Sequence, residues 1–177
     1  MKKLSHEQIS QNRSTLETIG TVKKLPVHVI LNSIRSSYNV GSIFRTSDGA
    51  MVEKIYLCGY TPTPENKDVL KTSLGSQNSV AWEYVENAKD VVTKLKEEGL
   101  KIIALELTDK SVPHYSLSKG WFPCVLIVGN EITGVSQELI DLCDHSIEIP
   151  QYGIKQSLNV AVAYGISIFE MRRVFDI

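Results

Sequence analysis

A chain of 177 residues, 42% apolar and 22% charged with a net charge of −1, fits one globular domain that buries its own core. No apolar run approaches the ~20 residues of a membrane-spanning helix, and Met1 to Glu7 lacks the apolar centre of a secretory signal. The three cysteines, Cys58, Cys124 and Cys143, are odd in number and far apart, so they read as buried reduced thiols in a cytoplasmic protein rather than a disulfide framework.

Ser5 and Gln8 have the spacing of a capping box, which predicts a short helix over 5–19 stopped by Gly20. Pro26 precedes a first strand over 27–31, followed by a helix over 38–51 and a strand over 54–58. Residues 59–67, with Pro62 and Pro64, read as a surface loop. A helix over 88–98 ends at Gly99, and a strand follows over 101–107. Pro123 opens the most apolar strand, 124–128; then come a helix over 135–142, a short strand over 145–149 and a long final helix over 156–175. Alternating strands and helices with continuous apolar strands argue for an α/β fold, a mostly parallel sheet with helices on both faces. Residues 1–25 form a short N-terminal helical extension to a single domain over 26–177.

The final helix carries two apolar stripes, Leu158, Val162, Ile166 and Phe169 on one side and Ala161, Tyr164, Ile168, Met171 and Phe175 on another. A helix that only covers a sheet needs one stripe. The second one points to another copy of the chain, hence a homodimer, with deeper burial in one chain as the alternative.

The glycine-containing turns exclude the two common nucleotide folds. No GxGxxG follows the first strand, and Gly129 and Gly134 have P-loop spacing but lack the lysine that would meet a phosphate. Such glycines let backbone approach a ligand closely. No His, Cys or carboxylate cluster has metal-ligand spacing, so no metal is expected. A local basic excess, Lys2, Lys3, Arg13, Lys23 and Lys24 against Glu7 and Glu17, leaves nucleic-acid binding undecided.

Three polar stretches stand at strand ends, where ligands sit in α/β sheets. Asn39, Gly41 and Arg45 form the first; Gly129, Glu131 and Gly134 the second; Pro150, Gly153, Ser157, Leu158 and Asn159 the third. In order and wording they resemble the three motifs of the SpoU/TrmH family of RNA 2′-O-ribose methyltransferases, over about 27–173, and residues 71–75 resemble that family's linker.

The resemblance implies a deep C-terminal trefoil knot and S-adenosylmethionine bound there by backbone groups, with Leu105, Glu106, Gly129, Ile149 and Leu158 lining the site. It implies RNA as substrate, tRNA more than rRNA. Arg45 becomes the group that activates the ribose hydroxyl, with Asn39, Glu131, Ser157 and Asn159 orienting it, the ribose and the cofactor. An arginine resists deprotonation, so its role reads as electrostatic. Without the resemblance, Arg45 reads as a surface ion pair with Asp48 or another helix carboxylate. A knotted domain that binds without turnover, and a base methyltransferase of the same superfamily, are the alternatives.

Overall fold

Buried and half-buried positions alternate through the start of Leu25–Asn32, the strand β1, and this strand lies in the interior of the sheet, third of seven. The structure is a computed structural model and describes residues 1–11 and 13–177. In chain order the elements are α1 (His6–Gln11), β1, α2 (Ser37–Ala50), β2 (Val52–Cys58), α3 (Lys67–Ser73), β3 (Trp82–Val85), α4 (Ala88–Glu97), β4 (Lys101–Leu105), β5 (Val112–Pro113), β6 (Cys124–Val128), α5 (Gln137–Ile140), β7 (His145–Glu148) and α6 (Val160–Asp176).

The seven strands lie in the order β3-β2-β1-β6-β4-β7-β5, and each pairing is parallel. Because side chains alternate across a strand, β1 sends Val27, Val29 and Leu31 to one face and Ile30 to the other. The first face packs against Ile43 and Phe44 of α2 and Tyr164, Ile168 and Met171 of α6. The second packs, through Ile102, Val125 and Ile127, under Val91, Val92 and Leu95 of α4 and Leu139 of α5. The expected two-faced parallel sheet is therefore present. Cys58 and Cys124 are buried within it and all three cysteines are free. Burial pushes the thiols of Cys58 and Cys124 up to about 12 and that of Cys143 to about 11, so none offers a thiolate at neutral pH.

Several elements differ from the sequence expectation. The capping box is formed, with the Gln8 amide donating to Ser5 Oγ at 3.3 Å and the Ser5 amide to Gln8 Oε1 at 2.9 Å. Yet α1 stops at Gln11 and buries no residue, since a short helix without a docked apolar face has nothing to extend it. A single 3-10 turn, Ile19–Thr21, is the next helical piece, and Asn12 of the expected helix lies outside the described residues. The helices expected over 135–142 and 156–175 begin later, at Gln137 and Val160, and the first also ends earlier, at Ile140. Residues 156–158 are loop because Asn159 is the N-cap, its Oδ1 accepting from the amides of Ala161 and Val162. The short elements α3, β3 and β5 have no strong periodicity and were not anticipated.

Candidate active site

Leu31, Val128, Leu105 and Ile147 stand in register across β1, β6, β4 and β7. The turns leaving these strands therefore meet at one edge of the sheet. The turn after β6 closes on itself, with the Asn130 amide donating to the Gly134 carbonyl at 3.1 Å and the Gly134 amide to the Asn130 carbonyl at 2.9 Å.

That turn aims Glu131 at the N-terminus of α2. Glu131 Oε2 accepts from the Arg35 amide at 2.8 Å, and Oε1 from the Ser36 amide at 3.1 Å and Asn39 Nδ2 at 2.9 Å. The free amides and the partial positive charge of a helix start suit a carboxylate. Asn159, capping α6, turns its Nδ2 to Asn39 Oδ1 at 3.1 Å. One chain of hydrogen bonds, Asn159 to Asn39 to Glu131, thus joins all three polar stretches.

Burial pushes the Glu131 carboxyl up, but the bonds donated by the Arg35 amide, Asn39 and the Ser36 amide outweigh it and hold the group below its ordinary value. With its oxygens engaged and its proton affinity lowered, Glu131 positions its neighbours and is unsuited to act as a general base. A carboxyl held low stabilises the fold above the ordinary glutamate range and loses that contribution as pH falls through its folded value. Acidification below about pH 4.3 should therefore release the Arg35 and Ser36 amides, read as lost protection factors in hydrogen exchange. In Glu131→Gln that pH dependence should vanish.

Beside this network lies a cavity of about 400 Å³ bordered by the ends of β4, β6 and β7 and the loop before α6. Leu105, Glu106, Gly129, Ile149 and Leu158 all border it, as do Glu131, Ser157 and Asn159. Asn39 lies outside it, in a neighbouring open depression with Arg35, Ser36 and Glu131.

Arg45 is placed apart from these groups. It is exposed on α2, does not border the cavity, and among the described residues has no ion pair. Asp48, its expected surface partner, instead accepts from Ser79 Oγ at 2.5 Å. One helical turn beyond Arg45, Gly49 lies 3.5 Å, measured from an added Cβ, from the ring of Phe169 on α6. Gly49 therefore faces the outer stripe of α6, and Arg45 stands one helical turn before it on α2.

Two residues do more than the sequence suggested. The Glu106 carboxylate accepts from the amides of Leu107 at 2.9 Å and Val135 at 2.8 Å, so it clamps the 129–134 turn. Asn130, which sequence reasoning passed over, is buried; its Nδ2 donates to the Ser33 carbonyl and the Tyr60 hydroxyl, and its Oδ1 accepts from Ile132 and Thr133. An Asn in a tight turn was the only available signal. The need for glycine at position 129 also has a different cause from that expected. An added Cβ would meet the backbone of Gly134 and Val135 across the turn at 2.2 and 2.3 Å, so close packing inside the turn, rather than approach of a ligand, requires it.

The sequence profile of the SpoU rRNA Methylase family matches residues 26–169. This chain belongs to that family. It is 35% identical over 148 residues to the tRNA (guanosine(18)-2′-O)-methyltransferase of Aquifex aeolicus, covering 82% of this chain and 68% of the relative. The crystal structure of the A. aeolicus TrmH/SpoU tRNA modifying enzyme matches with a TM-score of 0.79 at 32% identity, over 87% of this chain and 77% of that one. The AdoMet-bound rRNA methyltransferase from Sinorhizobium meliloti matches at 0.78 and 31%, over 85% and 60% of the two chains. The chain spans about two thirds of the length of its curated relatives.

SpoU membership implies the knotted form of the parallel sheet and S-adenosylmethionine as cofactor. The cavity fits that molecule. Its size lies in the range of small-molecule sites, Leu105, Ile149 and Leu158 give it apolar walls, and the carboxylates of Glu106, Glu131 and Glu148 at its border suit a cation.

Proposed function

We propose that this SpoU protein transfers a methyl group to a ribose 2′-hydroxyl of RNA, with tRNA as the substrate, and that it works as a homodimer in the cytoplasm without a metal. The chain of hydrogen bonds from Asn159 through Asn39 to Glu131, at the rim of the cavity, carries this reading. The name of the Aquifex relative favours tRNA.

Leu105, Gly129, Ile149 and Leu158 hold the cofactor, while Glu106 holds the turn that shapes its pocket. S-adenosylmethionine supplies an already activated sulfonium methyl, so the protein's task is to align a hydroxyl and raise its nucleophilicity. Ser157 and Asn159 border the cavity, Asn159 also reaching Asn39, and the two orient the ribose. Arg45 supplies a fixed positive charge for the neighbouring phosphate and the developing alkoxide. Arg45 lies outside its own chain's cavity, one helical turn before the Gly49 that faces Phe169 of the outer α6 stripe, so it is assigned to the partner's site. Val162 and Phe169 of that stripe are 51% and 50% exposed, whereas Met171 on the inner stripe is fully buried. The residues before β1 extend from the catalytic domain, with Lys23 over the Phe175 ring at 4.3 Å, whereas Leu25 already lies buried in the sheet.

The two stripes separate experimentally. Phe169→Asp should turn the dimer into a monomer in sedimentation experiments while the fold persists. Met171→Asp should unfold the chain itself, since an unpaired charge in the core costs several kcal/mol. A wild-type monomer at micromolar concentration would sink the shared site. Ribose methylation of tRNA by the purified protein tests the activity.

A further inference from the structure

The catalytic edge of the sheet continues past the site. Beyond β6 come β1, then β2, then β3, each about 4.8 Å from the last. Tyr60, two residues past the end of β2, is 64% exposed, and Tyr84 on β3 is 47% exposed. Both rings are tethered at the hydroxyl. The Tyr60 oxygen accepts from Asn130 Nδ2 at 2.7 Å, and the Tyr84 hydroxyl donates to the Gly59 carbonyl at 2.9 Å.

The turn between them is equally fixed. The Gly59 amide donates to the Glu86 carbonyl at 2.9 Å, and Thr61 Oγ1 donates towards the Leu31 and Cys58 carbonyls while accepting from the Ile34 amide. Asn130, which holds Tyr60, precedes Glu131 in the same turn, so Tyr60 is anchored to the turn that carries Glu131.

Resting on the ribose-methyltransferase reading, we propose that Tyr60, with Tyr84 behind it, is a stacking platform for unpaired RNA bases beside the target nucleotide. Base faces stack on aromatic rings without regard to sequence. Rings held by their hydroxyls lose little freedom on binding. Neither tyrosine belongs to the outer stripe of α6, which is the surface assigned to a second copy. The exposed carboxylate of Glu86 near Tyr84 disfavours phosphate there, so the contact is with base faces.

The test uses the full chain, S-adenosylhomocysteine and a short single-stranded RNA carrying 2-aminopurine, a base whose fluorescence is quenched on stacking. Wild type should quench it. Tyr60→Ala should bind about ten-fold more weakly, and Tyr60→Phe, which keeps the ring, within about two-fold of wild type. The salt dependence of affinity should be unchanged in both, because no phosphate contact is removed. Cofactor affinity and thermal melting check that the fold is kept, and Tyr84→Ala, on the edge strand, gives an independent measurement with a loss in the same direction. Wild-type quenching and affinity in both alanine variants would overturn the platform, as would loss of self-association in place of RNA affinity. If wild type methylates tRNA and both variants do so with unchanged KM, the platform alone falls. If wild type methylates no RNA, the functional reading falls with it.

Discussion

Arg45→Ala should lower methylation of tRNA by about 10²–10³-fold, the range for removing one group that stabilises developing charge, while S-adenosylmethionine affinity stays close to wild type. The separation of effects follows from placement. Arg45 is exposed on α2 and does not border the cavity that fits the cofactor. Ser47, two residues on, is bonded to Tyr164 of α6 at 2.6 Å in the buried interior, so α2 holds one rotational setting and Arg45 projects from it at a fixed place. Arg45→Lys asks what the guanidinium contributes. If charge alone matters, lysine keeps substantial activity; if the planar fork grips phosphate and ribose oxygens together, lysine behaves nearly like alanine. Calorimetry with S-adenosylhomocysteine beside single-turnover rates reads both quantities. A loss of cofactor affinity in Arg45→Ala as large as the loss of rate would contradict the assignment.

Gly129→Val should damage cofactor binding and turnover together. The added Cβ meets Gly134 C, Val135 N and Gly134 O at 2.2, 2.3 and 2.4 Å, all backbone atoms that have no rotamer to escape into. The turn must open, which breaks the paired bonds of Asn130 and Gly134, moves Glu131 away from Arg35 and Ser36, and withdraws Val135 from Glu106. A stability loss above about 2 kcal/mol is expected, as for other changes that force backbone out of a constrained site. Gly153→Ala is the control: nothing lies within 4 Å of its added Cβ, and it should melt and bind as wild type. Normal cofactor affinity in Gly129→Val would refute the role given to this turn.

What could be read from the residues alone follows from how each element declares itself. The β6 strand, Cys124–Val128, was delimited by Pro123 and a run of five apolar residues, all of them buried. The α4 helix declared its end by Gly99 and differs by one residue from the expectation; Asn87, whose side chain accepts from the Lys89 amide, caps its start. By contrast, β3 is an edge strand with the sequence Trp-Glu-Tyr-Val, half polar because half of it faces water. The apolar pattern before Val160 misled for a related reason. Leu158 borders the cavity from a loop, so its apolar character reflects the site and not a helix face.

Of the residues named from the sequence, Asn39, Glu131 and Asn159 are joined by hydrogen bonds while Arg45 stands apart, and nothing in spacing indicated that Glu131 would bind the backbone amides at the start of α2. Glu106 was placed at the cavity, while its carboxylate is committed to the Leu107 and Val135 amides. Backbone donors leave no trace in side-chain identity, and Asn130 and Tyr60 meet across 70 residues of sequence. Only the sheet order brings them together.

The decisive measurement is the position of the transferred methyl group. Purified protein, S-adenosylmethionine labelled in the methyl group and unmodified tRNA should yield RNA whose label, after alkaline hydrolysis, stays in resistant dinucleotides, because a methylated 2′-oxygen cannot attack the adjacent phosphate. Arg45→Ala should give almost none. Label released in single nucleotides with a methylated base would contradict ribose methylation, and so would cofactor binding without transfer to any RNA.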